Sequence, residues 1–237
     1  MKLNFGKRKD AVEFHNEIAA TWSERYSSGI FNQRLKVWEL LISNYVKSTD
    51  IWLDAGCGSG TLTKLMAERC VEVKAFDASK NMIKNFKDSL CKEQQNIIIC
   101  HGDLSDLAFL EQQKCNGIIC SSVLEYIQNV EGVLYSLNQH LENHGKLIIS
   151  VPNKGFNIRL VQQFLRRIAK IFNFHIFSYL QFSIYCENKK TFIKTLKSTG
   201  YQVIDVVPFK PNSDRFFYKY LAPSIYIYIA EKRYSVD

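Results

Sequence analysis

The sequence predicts an α/β protein built on a doubly wound, largely parallel sheet, and three observations carry that reading. Between residues 50 and 151 short β-rich runs alternate with stretches whose apolar residues recur at helical spacing, a rhythm that implies right-handed βαβ crossovers. A glycine-rich bend, Gly56-Cys57-Gly58-Ser59-Gly60, stands where the first of those runs gives way to a helical pattern. No repeat, low-complexity tract or linker divides the 237 residues, and only four prolines occur, so one domain with appendages is expected.

The elements follow in order. Residues 11–26 and 32–46 read as two helices, the first repeating Phe14, Ile18, Trp22 and Tyr26 on one face; they would form an N-terminal helical cap over residues 1–48, able to cover the open end of a nucleotide pocket. Strands are expected at 51–55, 71–77, 96–100, 117–121 and 146–151, each bounded by polar residues or glycine. Helices are expected between them at 61–69, 80–90 and 130–141. A stretch over 153–187 then reads as an insertion on the substrate side. A helix near 189–198, the stop at Gly200 and strands near 201–207 and 224–230 would complete the sheet, so that residues 49–237 form the ligand-binding domain.

Composition narrows the function classes. Hydrophobic residues make up 46% and charged residues 23%, near globular averages, and no apolar run approaches the roughly 18 residues that a membrane span requires. The start, MKLNFGKRKD, has no apolar stretch behind its basic residues, so export is not expected and a cytoplasmic protein is. Seven cysteines, an odd number without a CxxC pair or a Cys/His cluster, support neither a disulfide framework nor a metal site. The net charge of +8 is open to nucleic acid, an anionic membrane surface or solubility alone.

The chemistry is concentrated at strand ends. Glycines at 56, 58 and 60 allow positive φ and a close ligand approach, and the helix start beyond them offers free N–H groups. A dinucleotide fingerprint would need a third glycine where Thr61 stands. Asp54, at the end of the strand, suits a cofactor bearing an amino group better than a phosphate. Asp77, 19 residues beyond Gly58, closes the second strand and is placed to accept both hydroxyls of a ribose; together the two motifs specify an adenosyl ligand. After the third strand, Asp103 can accept from an adenine amino group while Leu104 touches the ring.

With these residues the chain resembles the class I S-adenosylmethionine (SAM)-dependent methyltransferases over about residues 10–231, and within them the methyltransferase-11 and ubiquinone-biosynthesis O-methyltransferase branch. The segment from Cys120 to Tyr126 is similar to that branch's fourth-strand segment, and Phe31-Asn32-Gln33-Arg34-Leu35 to its arginine-bearing N-terminal segment. The resemblance implies a seven-stranded sheet with its last strand antiparallel, SAM as cofactor, and a site in which residues 54–60 wrap the methionine part, Asp77 and Ala78 meet the ribose, Asp103 and Leu104 the adenine, Arg34 the cofactor carboxylate, and Ser121 the wall. It departs from the branch at Glu125-Tyr126, where many members carry Glu-His, so an imidazole base is absent at that position. Neither the Asp/Asn-Pro-Pro-aromatic loop of amino methyltransferases nor the Pro-Cys nucleophile of cytosine C5 enzymes follows the fourth strand.

The acceptor side is read from fewer signals. His15 and His175 lie in segments expected to face substrate and are candidates for a base, with Tyr126 a candidate positioning hydroxyl. Residues 157–172 alternate a basic face (Arg159, Arg166, Arg167, Lys170) with an apolar one (Val161, Leu165, Ile168, Phe172). Such a helix fits an anionic membrane and a lipophilic acceptor at the inner membrane face, a lid with a solvated rim, or an RNA-binding face. The expected activity is methylation of a small acceptor, most simply on oxygen. The alternatives are an RNA or protein methyltransferase and a nonenzymatic SAM-binding regulatory subunit.

Overall fold

The protein, seen in a computed structural model, is described here for residues 10–110, 114–155, 182–212 and 222–233. Seven strands form one sheet: β1 Ile51–Ala55, β2 Glu72–Asp77, β3 Ile97–His101, β4 Cys115–Cys120, β5 Leu141–Pro152, β6 Tyr201–Phe209 and β7 Ile225–Lys232. Helices α1 Ala11–Ile18 and α2 Gly29–Tyr45 precede it, α3 Thr61–Ala67, α4 Lys80–Asp88 and α5 Val130–Gln139 connect its strands, and α6 Lys189–Ser198 precedes β6. The strand order is β3-β2-β1-β4-β5-β7-β6, with β7 antiparallel to both of its neighbours and the first five strands parallel.

The order reverses between β1 and β4. From β1 the chain steps outward through α3 to β2 and β3, then returns to pair β4 on the other side of β1. Such a switch point opens a crevice beyond the carboxyl ends of the two strands. Both faces of the sheet are covered, so consecutive strand residues enter different cores: Leu53, Ile118 and Leu147 join one cluster with Leu134, Phe192 and Tyr228, while Trp52, Ile119 and Ile148 join another with Trp38, Ile42 and Met66. Two-sided burial is why these strands read as nearly continuous apolar runs.

Several boundaries differ from expectation. The first helix ends at Ile18 rather than Tyr26 and continues as 3-10 turns over Ala19–Thr21 and Ser23–Ser27. The hydroxyls of Thr21 and Ser27 donate to carbonyls three residues back, the local competition by which Ser and Thr disturb α-helical bonding. The second helix starts at Gly29, one turn before Asn32, and the fifth strand starts at Leu141, because Leu141 already pairs with Cys115 ahead of a bulge. The basic segment 157–172 and His175 lie outside the described residues. Among the described residues no helix is long and apolar enough to cross a membrane.

Candidate functional site

At the crevice the glycine bend is fastened by its own backbone. The amides of Gly56 and Cys57 both donate to the Phe76 carbonyl, at 2.9 Å each, and Gly60 donates to Cys57 at 3.0 Å. The amide of Gly58 donates to Asp77 Oδ2 at 2.9 Å. Four of the amides that a phosphate-cradling loop would offer are therefore already used. Gly60 has φ +80°, and a Cβ there would lie 2.1 Å from the Phe86 ring, so a side chain is excluded both by conformation and by space.

Two carboxyls flank the bend. Asp54 is 1% exposed and its Oδ2 accepts from Thr63 Oγ1 at 2.6 Å. Burial, opposed by the Thr63 hydrogen bonds and assisted by neighbouring Asp77, pushes its carboxyl up to about 7. Asp77 takes Gly58 N–H on one oxygen and Ser79 N–H, at 2.8 Å, on the other. Burial also raises this carboxyl, against those two amides and against His15 and His101. Each oxygen keeps a lone pair for a ligand hydroxyl. The same burial, with Asp54 and Asp77 beside it, raises the Cys57 thiol, which makes it a poor nucleophile.

A roof of side chains closes over this floor. Asn16 on α1 accepts from Ser79 Oγ at 2.7 Å and from the Asn81 amide at 3.2 Å, which ties α1 to the start of α4. Trp22 lies over the bend, its Nε1 3.2 Å from where a Gly58 Cβ would sit. Arg25 stacks on Trp22, and Arg34 on Phe31, at 4.8 Å in both cases. Arg34 Nη1 also donates to Ser122 Oγ at 2.9 Å. Ser122 has φ +60°, a conformation unusual outside glycine, and its amide donates to Ser150 Oγ at 2.8 Å. Floor and roof enclose one cavity of about 630 Å³, within the range of small-molecule sites.

The residues present fit SAM rather than a pyrophosphate nucleotide. Two carboxyls at the bend would repel phosphate and attract an amino acid sulfonium, the loop amides are already bonded, and the buried Ser59 hydroxyl at the cavity wall has no partner among the described residues. A family model described as a methyltransferase domain matches residues 31–206. The chain belongs to the class I SAM-dependent methyltransferases. Among curated proteins it is similar to the ubiquinone biosynthesis O-methyltransferase of Rickettsia typhi, 31% identical over 103 residues, 43% of this chain and 41% of that protein. The Rickettsia prowazekii enzyme of the same name is 27% identical over 154 residues, 62% and 60% of the two chains. A probable cobalt-precorrin-6B C(15)-methyltransferase (decarboxylating) of Methanocaldococcus jannaschii is 29% identical over 140 residues, 54% of this chain and 73% of that one. The chain thus matches only 41% to 60% of the length of the two Rickettsia relatives.

Solved structures agree in fold. The magnesium protoporphyrin IX methyltransferase of Synechocystis PCC 6803, with bound SAH, superposes with a TM-score of 0.61 at 18% identity, covering 96% of this chain and 89% of that one. The N-methyltransferase NodS of Bradyrhizobium japonicum WM9, in complex with S-adenosyl-L-homocysteine, gives 0.67 at 14% identity, covering 94% and 99%.

Within this methyltransferase domain, Arg34, Asp54, Gly56, Gly58, Asp77, Ala78, Asp103, Leu104 and Ser121 all line this same cavity, together with His15 and Tyr126. Gly60 does not; it sits behind the wall against Phe86. Asp103 is exposed, and its Oδ1 accepts from the Ser105 amide at 2.7 Å. Sequence reading missed Ser122, which carries the Arg34 bond beside the expected Ser121, and missed Thr63 and Asn16, whose roles depend on partners distant in the chain. The Gly132 amide held by Asn129 and the buried ammonium of Lys232 on the Asn138 and Leu141 carbonyls belong to the scaffold.

Proposed function

We propose that this chain transfers the methyl group of SAM to a small acceptor, by O-methylation, with cofactor and acceptor sharing the one cavity. The observation that carries the reading is the continuity of that cavity from Asp103, Asp77 and the glycine bend to an aromatic outer part walled by Phe14, Trp22, Tyr26, Phe31, Tyr126 and Phe209. Bound SAM supplies a methyl already activated by its sulfonium charge. The protein's part is then alignment and exclusion of water.

In this reading Asp77 accepts the ribose hydroxyls on its two remaining lone pairs, and Asp54 faces the cationic amino acid end, where its charge is favoured. Arg34, oriented by Ser122 and Phe31, pairs the cofactor carboxylate. Asp103 and Leu104 border the adenine. Trp22 and Tyr26 seal the roof. The aromatic outer walls suit a lipophilic acceptor, as the resemblance to ubiquinone-biosynthesis O-methyltransferases also suggests.

The test is incubation with methyl-labelled SAM and separate lipid, RNA and polar metabolite extracts. Label in a lipid or small-metabolite fraction, released by ether cleavage, is the expected result. Label entering only RNA or protein would overturn the acceptor assignment. Failure of calorimetry to detect SAM binding would overturn the whole reading, including its extension to a regulatory subunit.

A further inference from the structure

The two ring nitrogens of His15 have different environments. Nδ1 lies 2.7 Å from the carbonyl oxygen of Ala11, one turn back in α1. A carbonyl oxygen can only accept, so Nδ1 carries the hydrogen and the neutral ring presents Nε2 as a free lone pair. No hydrogen bond occupies Nε2 among the described residues, and the ring lines the cavity.

The ring is also held in place. It stands edge-on to Trp22, with centroids 5.4 Å apart, and to Tyr126, at 5.1 Å. The next residue, Asn16, is bonded to Ser79 and Asn81 at the head of α4, which fixes α1 beside the Asp77 strand tip. His15 therefore spans the cavity roof from the cofactor side, at Asp77, to the outer part, at Tyr126. An imidazole is a suitable acceptor for the proton of a hydroxyl as acidic as a phenol's, whose ordinary value is near 10. A carboxylic acid needs no such help, and an aliphatic alcohol needs a far stronger base.

We propose that His15 is the general base of methyl transfer and that the acceptor is a phenol held among the aromatic walls with its hydroxyl directed at Nε2. The inference rests on the methyl-transfer reading above and adds to it a base and an acceptor class. As an oxygen lone pair of the acceptor forms its bond to the methyl carbon, Nε2 takes the hydroxyl proton, and the pair of the breaking carbon–sulfur bond stays on sulfur. The products are an aryl methyl ether, a neutral thioether and an imidazolium that returns its proton to water. The charged groups sharing the cavity with His15 are Asp77 and Asp54 at the floor, Asp103 after β3, Asp10 at the start of its own helix, Glu125 after β4, and Arg25 and Arg34 in the roof.

The test needs no turnover. The full chain with S-adenosylhomocysteine is titrated with 4-nitrocatechol, whose phenolate is visible, across the pH range, in the wild type and in His15→Asn, which keeps a donor for Ala11 but has no Nε2. The wild type is expected to form bound phenolate at a pH lower by about one unit, a tenfold change in that equilibrium, measured with both proteins saturated with S-adenosylhomocysteine. Nitrogen NMR of the histidines is expected to show His15 as the Nδ1–H form. Equal phenolate midpoints, an Nε2–H form, or a complex that does not take up the phenol would overturn this assignment while leaving SAM binding intact. A protein that binds no S-adenosylhomocysteine would instead remove the methyltransferase reading beneath it.

Discussion

Floor and roof of the cavity are held by different kinds of bond. In the glycine bend, backbone amides of Gly56, Cys57 and Gly60 are bonded to backbone carbonyls, and the chain is pressed against the Phe86 and Val123 side chains. In the roof, residues 10–31, the ties to the rest of the molecule include the Asn16 bonds with Ser79 and Asn81 and the ring contacts of His15 with Tyr126 and of Phe14 with Phe182. A backbone-fastened floor tolerates almost no added volume, whereas a side-chain roof can lift and reseat. That division suits a site that must hold one ligand in fixed geometry and admit another.

The largest expected effect lies in the floor. Gly60→Ala puts a Cβ into the Phe86 ring at φ +80°, and backbone strain plus overpacking should cost about 2–5 kcal/mol of stability. The denaturation midpoint checks this; a loss under about 1 kcal/mol would show that the bend can shift and that floor and roof are not so different. Next is Asp77→Ala, which removes a charged acceptor from the proposed ribose contact and should weaken SAM on the order of 100-fold by calorimetry. An unchanged affinity would place the ribose elsewhere.

Asp54 sharpens the comparison through pH. Its folded value is raised from 3.8 to about 7, so the folded state holds the extra proton. The stability it contributes is fully present below about pH 4 and lost as pH rises through 7. At about 1.4 kcal/mol per unit, the ligand-free protein should lose a few kcal/mol over that interval relative to Asp54→Asn. A cationic ligand favours the carboxylate, so SAM affinity in the wild type should rise with pH up to about 7, by at most about tenfold per unit. The Asn variant should bind weakly with a flat profile. Parallel stability curves for the two proteins would mean that Asp54 is already ionised in the ligand-free site.

The floor was also the part that could be read in the sequence. Gly56, Gly58, Asp54 and Asp77 announce themselves because their requirements are local: positive φ, an apolar run ending in a carboxylate, and fixed spacing along one βαβ unit. The strands were readable for the same reason, since two-sided burial leaves a continuous apolar signature. The roof was not. A helix expected through Tyr26 ends at Ile18 because hydroxyls at Thr21 and Ser27 draw the backbone into tighter turns, and periodicity does not weigh that competition. Ser122 and Asn16 act on partners 88 and 63 residues away, and nothing in their neighbourhoods marks them. His15 could be nominated from its segment, but its free Nε2 follows from a single distance to Ala11.

The smallest expected effect tests whether the roof moves as a unit. Asn16→Ala deletes the acceptor of Ser79 and of the Asn81 amide, while the bond from Asn81 Nδ2 to the Asn16 carbonyl survives. The Asn81 amide faces solvent, but Ser79 is buried and its hydroxyl loses its acceptor, so about 1–2 kcal/mol of stability should be lost. Release of S-adenosylhomocysteine, followed by stopped-flow Trp22 fluorescence, should quicken only a few-fold, because the glycine bend and Asp77 are untouched. A change as large as that of Asp77→Ala would mean that α1 is part of the binding surface itself. No change in release would mean that Trp22 and the turns around it hold the roof without the helix before them.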